Sequence, residues 1–422
     1  MISGAGSPAG QERIEARQTA LRSALSPVTE GPLTKDGRRR RVLVAMSGGV
    51  DSSVAAALLV EAGYEVVGVT MQVWDYSSCD ITEGMGTCCS SIDVDDARGV
   101  ADRMGFPFYV MNCEAKFQSY VIDPFIGAYL EGQTPLPCVN CNTYLKFDHL
   151  VLKMRELDCD YIATGHYARI ARDTAGRAFI ETATDDLKDQ TYFLFTLAPE
   201  LLGQILFPIG HLNKTEVRSI ATELGLLNAR KKDSTGICFV GSQGYSKFIE
   251  GQVAPDLLPP GQIRLYPSGD VLAEHSGIHS FTYGQRKGLG VATGQPLFVL
   301  RTDPKTQTVW VGPEGYLFTD RAFAERSHFQ GPWQDGERVT VKIRFQHRGA
   351  SARLFQEPES GLVRIEFDDF VRAVTPGQAA VFYRGSELLG GGWLRAGELG
   401  ADAEVPIRQA PQALPDAGEV QL

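Results

Sequence analysis

Long apolar runs are missing from this chain of 422 residues. No stretch approaches the ~18–20 consecutive apolar residues that cross a bilayer as a helix, so no helical membrane span is expected. Basic charge is also in short supply. Lys and Arg number 41 against 51 Asp and Glu, for a net charge of −10 and a pI near 5.3. Such a chain is a poor indiscriminate binder of nucleic acid, although a local basic groove is compatible with it. From Ala396 onward there are five acidic residues and only Arg408, so the tail alone accounts for −4 of the total. Cysteine is absent after residue 238; all eight (79, 88, 89, 113, 138, 141, 159 and 238) lie earlier. Residues 1–40 lack an apolar signal core, so a cytoplasmic location is expected. In that compartment clustered cysteines mean redox or metal chemistry rather than a disulfide framework. The remaining composition, 43% hydrophobic and 22% charged, supports two or three separate cores.

Residues 1–40 are small and polar, with an Arg38–Arg41 run, and read as a disordered extension. From Arg41 a βα alternation begins. Val42–Met46, Glu65–Met71, Pro107–Asn112 and Tyr161–Thr164 read as strands. The stretch after Ser47-Gly48-Gly49 up to Ala62, then Asp93–Met104, Lys116–Leu130 with a break near Pro124, and Asn142–Leu157, read as helices. This alternation predicts an α/β domain with a parallel sheet, over residues 41–238. One more helix, Ser246–Val253, precedes a Pro-Pro-Gly break. Beyond it Asp303-Pro304-Lys305-Thr306 reads as a hairpin turn, and Val339–Phe345 and Val363–Phe367 alternate with period two. The expectation is a small central domain over 239–305, a β-barrel over 306–396 and an acidic tail over 397–422.

Chemistry concentrates at Ser47-Gly48-Gly49-Val50-Asp51-Ser52-Ser53, between a strand and a helix. Paired glycines let the backbone turn tightly and approach a ligand, and the helix start offers free N–H groups to an anion. The three serines add hydroxyls. Asp51 would repel a phosphate unless a divalent cation lay between, which points to Mg²⁺. This is not a Walker A loop, which needs Gly-Lys-Ser/Thr. A second constellation is Cys138-Val139-Asn140-Cys141 after Leu136-Pro137. A third is Lys231-Lys232-Asp233-Ser234-Thr235-Gly236-Ile237-Cys238, where the two lysines would lower the pKa of Cys238 and favour its thiolate. Cys-x-x-Cys alone leaves zinc, cluster and redox roles open. Cys113 and Cys159 fit core positions, and Cys88-Cys89 fits a loop without a catalytic role.

Ser-Gly-Gly-x-Asp-Ser is the signature of the pyrophosphate-loop (PP-loop), N-type ATP pyrophosphatases. With it stand Ala163-Thr164-Gly165-His166-Tyr167, Lys188-Asp189-Gln190-Thr191-Tyr192-Phe193-Leu194, Gly284-Gln285-Arg286-Lys287-Gly288-Leu289-Gly290 and Thr375-Pro376-Gly377-Gln378. Together with the cysteine segments, and from about Val42 to Trp393, the chain resembles the bacterial tRNA-specific 2-thiouridylases (MnmA-type).

The resemblance implies a PP-loop domain, a small central domain and a C-terminal β-barrel. It implies ATP on Ala45, Met46, Ser47, Gly48, Gly49, Val50, Asp51, Ser52 and Ser53, with Met71 and Gly165 beside the adenine and ribose. It implies adenylation of O2 of the wobble uridine of tRNA (Lys, Glu and Gln types), then sulfur transfer with release of AMP. Cys238 matches the persulfide carrier and Cys141 its disulfide-forming partner. tRNA contacts fall on Leu136, Pro137, Cys138, His166, Lys188, Asp189, Gln190, Arg344, Phe345 and Gln378. Further basic candidates are Arg286, Lys287, Lys342, His347 and Arg348. The sulfur donor would be a cysteine desulfurase or a relay protein. One departure stands out: Cys138 occupies a position where many members carry aspartate. Cys138, Cys141 and Cys238 therefore match the ligand number of a [4Fe–4S] cluster with one open iron, as an alternative to the persulfide. Two other readings remain at this stage. One is an amidating or ligating PP-loop enzyme, and the other a nucleotide-binding regulatory module.

Overall fold

The computed structural model describes residues 8–73, 91–233, 236–241 and 243–395. Cys88-Cys89 and the acidic tail lie outside these residues. The chain divides into two compact units. The first comprises residues 1–121, 138–239 and 386–388, and the second residues 122–137, 240–385 and 389–422.

The first unit opens with helix α1 (Pro8–Leu25), then β1 (Arg41–Ala45), α2 (Val50–Glu61), β2 (Glu65–Gln72), α3 (Ser91–Met104), β3 (Phe108–Asn112) and β4 (Tyr161–Thr164). A hairpin of β5 (Arg169–Arg172) and β6 (Ala178–Glu181) follows, then the short β7 (Ile205–Leu206) and a helix Lys214–Glu223. The sheet order is β3-β2-β1-β4-β7, and every neighbour pair is parallel. Strand order reverses direction between β1 and β4, so a crevice opens at their carboxyl ends, where open α/β sheets take ligands. α2 is apolar along nearly its whole length. Its buried Val54–Leu59 pack in one core with Val42 and Val44 of β1 and with Val217, Ile220 and Ala221 of the Lys214 helix.

Residues 8–40 depart from the disorder expected of them. α1 carries few apolar residues, but Leu21 and Leu25 are buried in the core of the first unit. Arg17 donates to Glu61 at 3.0 Å and to Glu223 at 2.6 Å, and Arg40 reaches back to the carbonyls of Gly31 and Leu33. Two leucines and one bidentate arginine thus fix a helix whose own pattern is weak.

The second unit differs from expectation at two boundaries. Its helix Asp123–Leu130 lies within the span expected for the catalytic domain. It belongs here because Tyr129 stacks on Tyr245 at 4.7 Å and Phe125 meets Phe248 edge-on at 6.2 Å. The central sheet consists of β8 (Gly261–Leu265), β9 (Val271–His275), β10 (Phe298–Asp303) and β11 (Thr308–Gly312), in the order β10-β11-β8-β9. A boundary at residue 305 would cut the β10–β11 hairpin. Both strands stay in the central sheet because β11 also pairs in parallel with β8, Thr308 opposite Gln262. The barrel follows as β12 (Phe318–Phe329), β13 (Glu337–Lys342), β14 (Ala350–Gln356), β15 (Val363–Arg372), β16 (Ala379–Arg384) and β17 (Glu387–Leu394). Pairing of β12 with β17 closes it, which leaves no free edge among these six strands. Val339, Val341, Val363, Ile365 and Phe382 fill its interior.

Histidine sets the response to acid. Burial holds His149, His166, His211, His275, His328 and His347 below the ordinary 6.5, His347 at about 4. The unfolded chain takes up protons near pH 6.5 that the folded chain refuses. Stability from these groups is complete above that value and is lost as pH falls below it. The melting temperature should therefore drop between about pH 7.5 and about pH 5.5. Differential scanning at fixed scan rate reads this, and a flat or rising profile would contradict it.

Candidate active site

The Gly-rich loop leaves the carboxyl end of β1 and enters α2 at the reversal point of the sheet. Gly48 has φ +70°, and a Cβ there would stand 2.2 Å from the backbone oxygen of Asp93. No other residue type fits. The loop is bonded to itself: Ser47 N–H donates to Ser52 Oγ at 3.1 Å, and the Ser52 and Ser53 hydroxyls donate to the Gly49 carbonyl. Met46 is buried and anchored, its N–H on the Val69 carbonyl and its carbonyl accepting from Thr70 Oγ1. Gly165, after β4, passes so close that a Cβ would lie 2.5 Å from the Ser52 nitrogen. Ala45 ends β1, and Met71 is the last residue but one of the parallel neighbour β2. The structure thus brings every residue of the expected nucleotide loop to one place.

Charge around the loop was not anticipated from sequence. Lys214 Nζ lies 2.8 Å from both carboxylate oxygens of Asp51, and the Tyr167 hydroxyl donates to Asp51 Oδ1 at 3.0 Å. Burial and the Asp51 charge push the Tyr167 phenol far up, so it remains a donor. Lys214 begins a helix with a complete capping box between Asn213 and Glu216, which fixes its direction. The same lysine meets Asp233 at 2.9 Å. Asn228 donates to the Gly48 carbonyl and to Ser53 Oγ, each at 2.9 Å. Lys231 bonds Asp93, Asp96 and the Gly48 carbonyl. This corrects the expectation that Lys231 serves Cys238. Partial burial works against its charge, but Asp93 and Asp96 outweigh that and raise its pKa, so its ammonium is committed to them. Capping-box spacing made Lys214 findable. Asn228 and the Asp93–Asp96 pair gave no sequence signal.

Cys138 and Cys141 lie in a helical run formed by Pro137–Asn140, Cys141–Phe147 and Asp148–Glu156 without a break. Asn140 donates to the Tyr120 carbonyl at 3.2 Å, and Tyr120 stacks on Tyr144 at 5.5 Å. Phe239, next to Cys238, meets Phe117 edge-on at 5.5 Å. Both cysteine segments therefore pack on the same stretch, Phe117–Tyr120, and both are thiols in this structure. Cys113 and Cys159 are buried and their pKa values raised by that burial, Cys159 to about 11, as core thiols should be. A cubane cluster needs its three thiolates gathered around it. Among the described residues no three Cys, His, Asp or Glu side chains are so gathered.

A family model described as the tRNA methyl transferase HUP domain matches residues 40–242. The tRNA methyl transferase PRC-barrel domain matches 246–313, and the aminomethyltransferase beta-barrel domain matches 320–394. The tRNA-specific 2-thiouridylase MnmA of Geotalea uraniireducens is 46% identical over 365 residues, 86% of this chain and 96% of the relative. Those of Lachnoclostridium phytofermentans and Geobacter metallireducens are 44% and 45% identical, over 84% and 85% of this chain and 99% and 97% of their own. The chain belongs to the tRNA-specific 2-thiouridylase family.

Within this 2-thiouridylase, the residues expected to meet tRNA take different surroundings. Lys188 is partly exposed and pairs with Asp233 at 2.8 Å. Asp189 is buried, accepting from the Ala183 N–H and the Thr191 hydroxyl, and Gln190 accepts from the Tyr167 N–H. Those two hold the loop's shape. His166 is only 9% exposed, stacked near Phe147 and bonded through Nδ1 to Thr164 Oγ1 at 2.8 Å. Burial, then the Lys146 charge, hold it neutral. In the second unit, Gln378 donates to the Thr134 and Pro135 carbonyls at 3.1 and 3.2 Å. It fixes the chain just before Leu136 and Pro137. Phe345 is 37% exposed, and Arg344 bonds the Arg372 carbonyl.

Proposed function

We propose that this chain uses ATP to replace O2 of the wobble uridine of tRNA by sulfur, giving 2-thiouridine. One observation carries the reading: in a single unit, a Gly-rich anion loop with Asp51 stands at the sheet's reversal point, and both cysteine segments pack on the same Phe117–Tyr120 stretch. The backbone N–H groups at the start of α2 and the Ser47 hydroxyl are the groups that would hold the triphosphate. Mg²⁺ carried in with ATP would take most of its ligands from phosphate oxygens and water, with Asp51 the nearest carboxylate, and would neutralise charge on the departing pyrophosphate. Lys214 holds Asp51 until then.

The uridine is extruded from its stack so that O2 attacks the α-phosphorus and pyrophosphate leaves. The terminal sulfur of a Cys238 persulfide attacks C2, and AMP leaves with the former O2. The Cys141 thiolate then attacks Cys238 Sγ. A Cys141–Cys238 disulfide forms, the sulfur–sulfur bond to the base breaks, and the electron pair stays on the thiolated uridine. An external thiol reductant restores the pair, and a protein sulfur donor reloads Cys238.

The matching family models carry methyltransferase descriptions, whereas the curated relatives are thiouridylases, so the assay must separate the two. Purified protein, unmodified tRNA, ATP, magnesium, a cysteine desulfurase with cysteine as persulfide donor, and a thiol reductant to reopen the Cys141–Cys238 disulfide are incubated, and the tRNA is digested for nucleoside mass spectrometry. ATP-dependent 2-thiouridine with matching AMP supports the reading. Tight ATP cleavage without a thiolated nucleoside, or a methylated nucleoside instead, would overturn it.

A further inference from the structure

Asp233 stands where three functions meet. Its carboxylate takes three cations: Lys188 at 2.8 Å, Lys214 at 2.9 Å and Arg218 at 2.7 Å. Partial burial opposes its charge, yet Lys188 and Lys214 hold its pKa down at about 2, so it is always ionised. Lys214 is shared with Asp51 of the nucleotide loop. Lys188 is partly exposed and is a residue whose resemblance assigns it to tRNA. Asp233 itself lies five residues before Cys238. The segment containing it is tied to the same loop twice more, through Asn228 and Lys231 on the Gly48 carbonyl.

Two of the three cations have a second anion available to them. A polyphosphate on the loop competes for Lys214, and an RNA phosphate competes for Lys188. Arg218 has no such alternative, because its guanidinium also bonds the Ala229 and Lys231 carbonyls at 3.2 and 3.0 Å. Each substrate therefore removes one of the ties on Asp233, and only the two together leave it on Arg218 alone.

Resting on the thiolation reading, we propose that Asp233 is a positioning residue that makes presentation of Cys238 conditional on ATP and tRNA being bound together. A persulfide is easily lost to adventitious thiols. A carrier held back until the uridine can be adenylated avoids that loss.

The test uses full-length protein and measures the rate of Cys238 alkylation by iodoacetamide, by peptide mass spectrometry. Four states are compared: no ligand, α,β-methylene ATP, tRNA, and both. In the wild type the rate should change by about threefold or more only with both ligands. Asp233→Asn keeps the side-chain shape and should label at the doubly loaded rate in all four states. Its AMP produced per 2-thiouridine should rise about threefold or more over wild type, a ratio that mere destabilisation does not move. Asp233→Glu should restore the ligand response in part. Lys188→Gln removes one tie and should make labelling respond to the ATP analogue alone. A wild-type rate indifferent to ligands overturns the proposal, as does an Asp233→Asn protein with the wild-type response and ratio. A Lys188→Gln protein that still needs tRNA does the same. Absence of 2-thiouridine with wild type would instead sink the thiolation reading, and the labelling arms are independent of it.

Discussion

Replacing Cys238 by serine should lower tRNA thiolation by about 10³-fold or more while leaving pyrophosphate release on tRNA within about threefold of wild type. The two half-reactions use different parts of the first unit. Adenylation needs the loop, Asp51 and the uridine oxygen; sulfur transfer needs a carrier thiol. Serine keeps the size and the packing of Phe239 on Phe117 but cannot hold a terminal sulfur. Cys141→Ser divides the chemistry at the next step. Sulfur still reaches C2, but nothing cleaves its bond to Cys238, so a covalent protein–tRNA adduct should accumulate that dithiothreitol releases. Gel shift before and after reduction reads it. Cys138→Ala should stay within about threefold of wild type, because the persulfide exchange runs between Cys238 and Cys141 alone. Equal loss of both half-reactions in the Cys238 variant, or loss of thiolation with iron content in Cys138→Ala, would refute the persulfide assignment.

Gly48→Ala should weaken ATP binding by about tenfold or more, equivalent to about 1.4 kcal/mol or more. Two costs add. A left-handed φ of +70° strains any residue with a Cβ by roughly 1–2 kcal/mol. The Cβ would also stand 2.2 Å from the Asp93 backbone oxygen, and backbone of α3 must move to admit it. That movement disturbs Asp93, which shares Lys231 with Asp96, and so strips one support from the Gly48 carbonyl itself. Isothermal titration with α,β-methylene ATP measures the loss. Gly63→Ala serves as a control for left-handed strain away from the loop, since its φ is +93° and its nearest neighbours are at 3.8 Å. Equal ATP affinity in the Gly48→Ala and wild-type proteins would remove this loop from the binding site.

Local pattern made the nucleotide loop readable. A strand, two glycines and an apolar helix need no distant partner to be recognised, and β4 starts and ends where its apolar run does. α1 was not readable for the opposite reason. Its fixation depends on Glu61 and Glu223, which lie far along the chain. The border between central sheet and barrel was misplaced because period-two alternation reveals a strand but not its neighbour. Lys231 was misassigned because nearness in sequence to Cys238 says nothing about the Asp93 and Asp96 carboxylates that α3 brings to it.

The matched family region begins at residue 40, and α1 lies outside it. Arg17 clips together the carboxyl ends of α2 and of the Lys214 helix, whose opposite ends carry Asp51 and Lys214. Two levers joined at one tip have less play at the other. The clearance into which a triphosphate must fit is therefore set partly from a distance, by a segment outside the matched region. A variant shortened to begin at the start of the family match would lose this clip, and with it the restraint on the far ends of both helices.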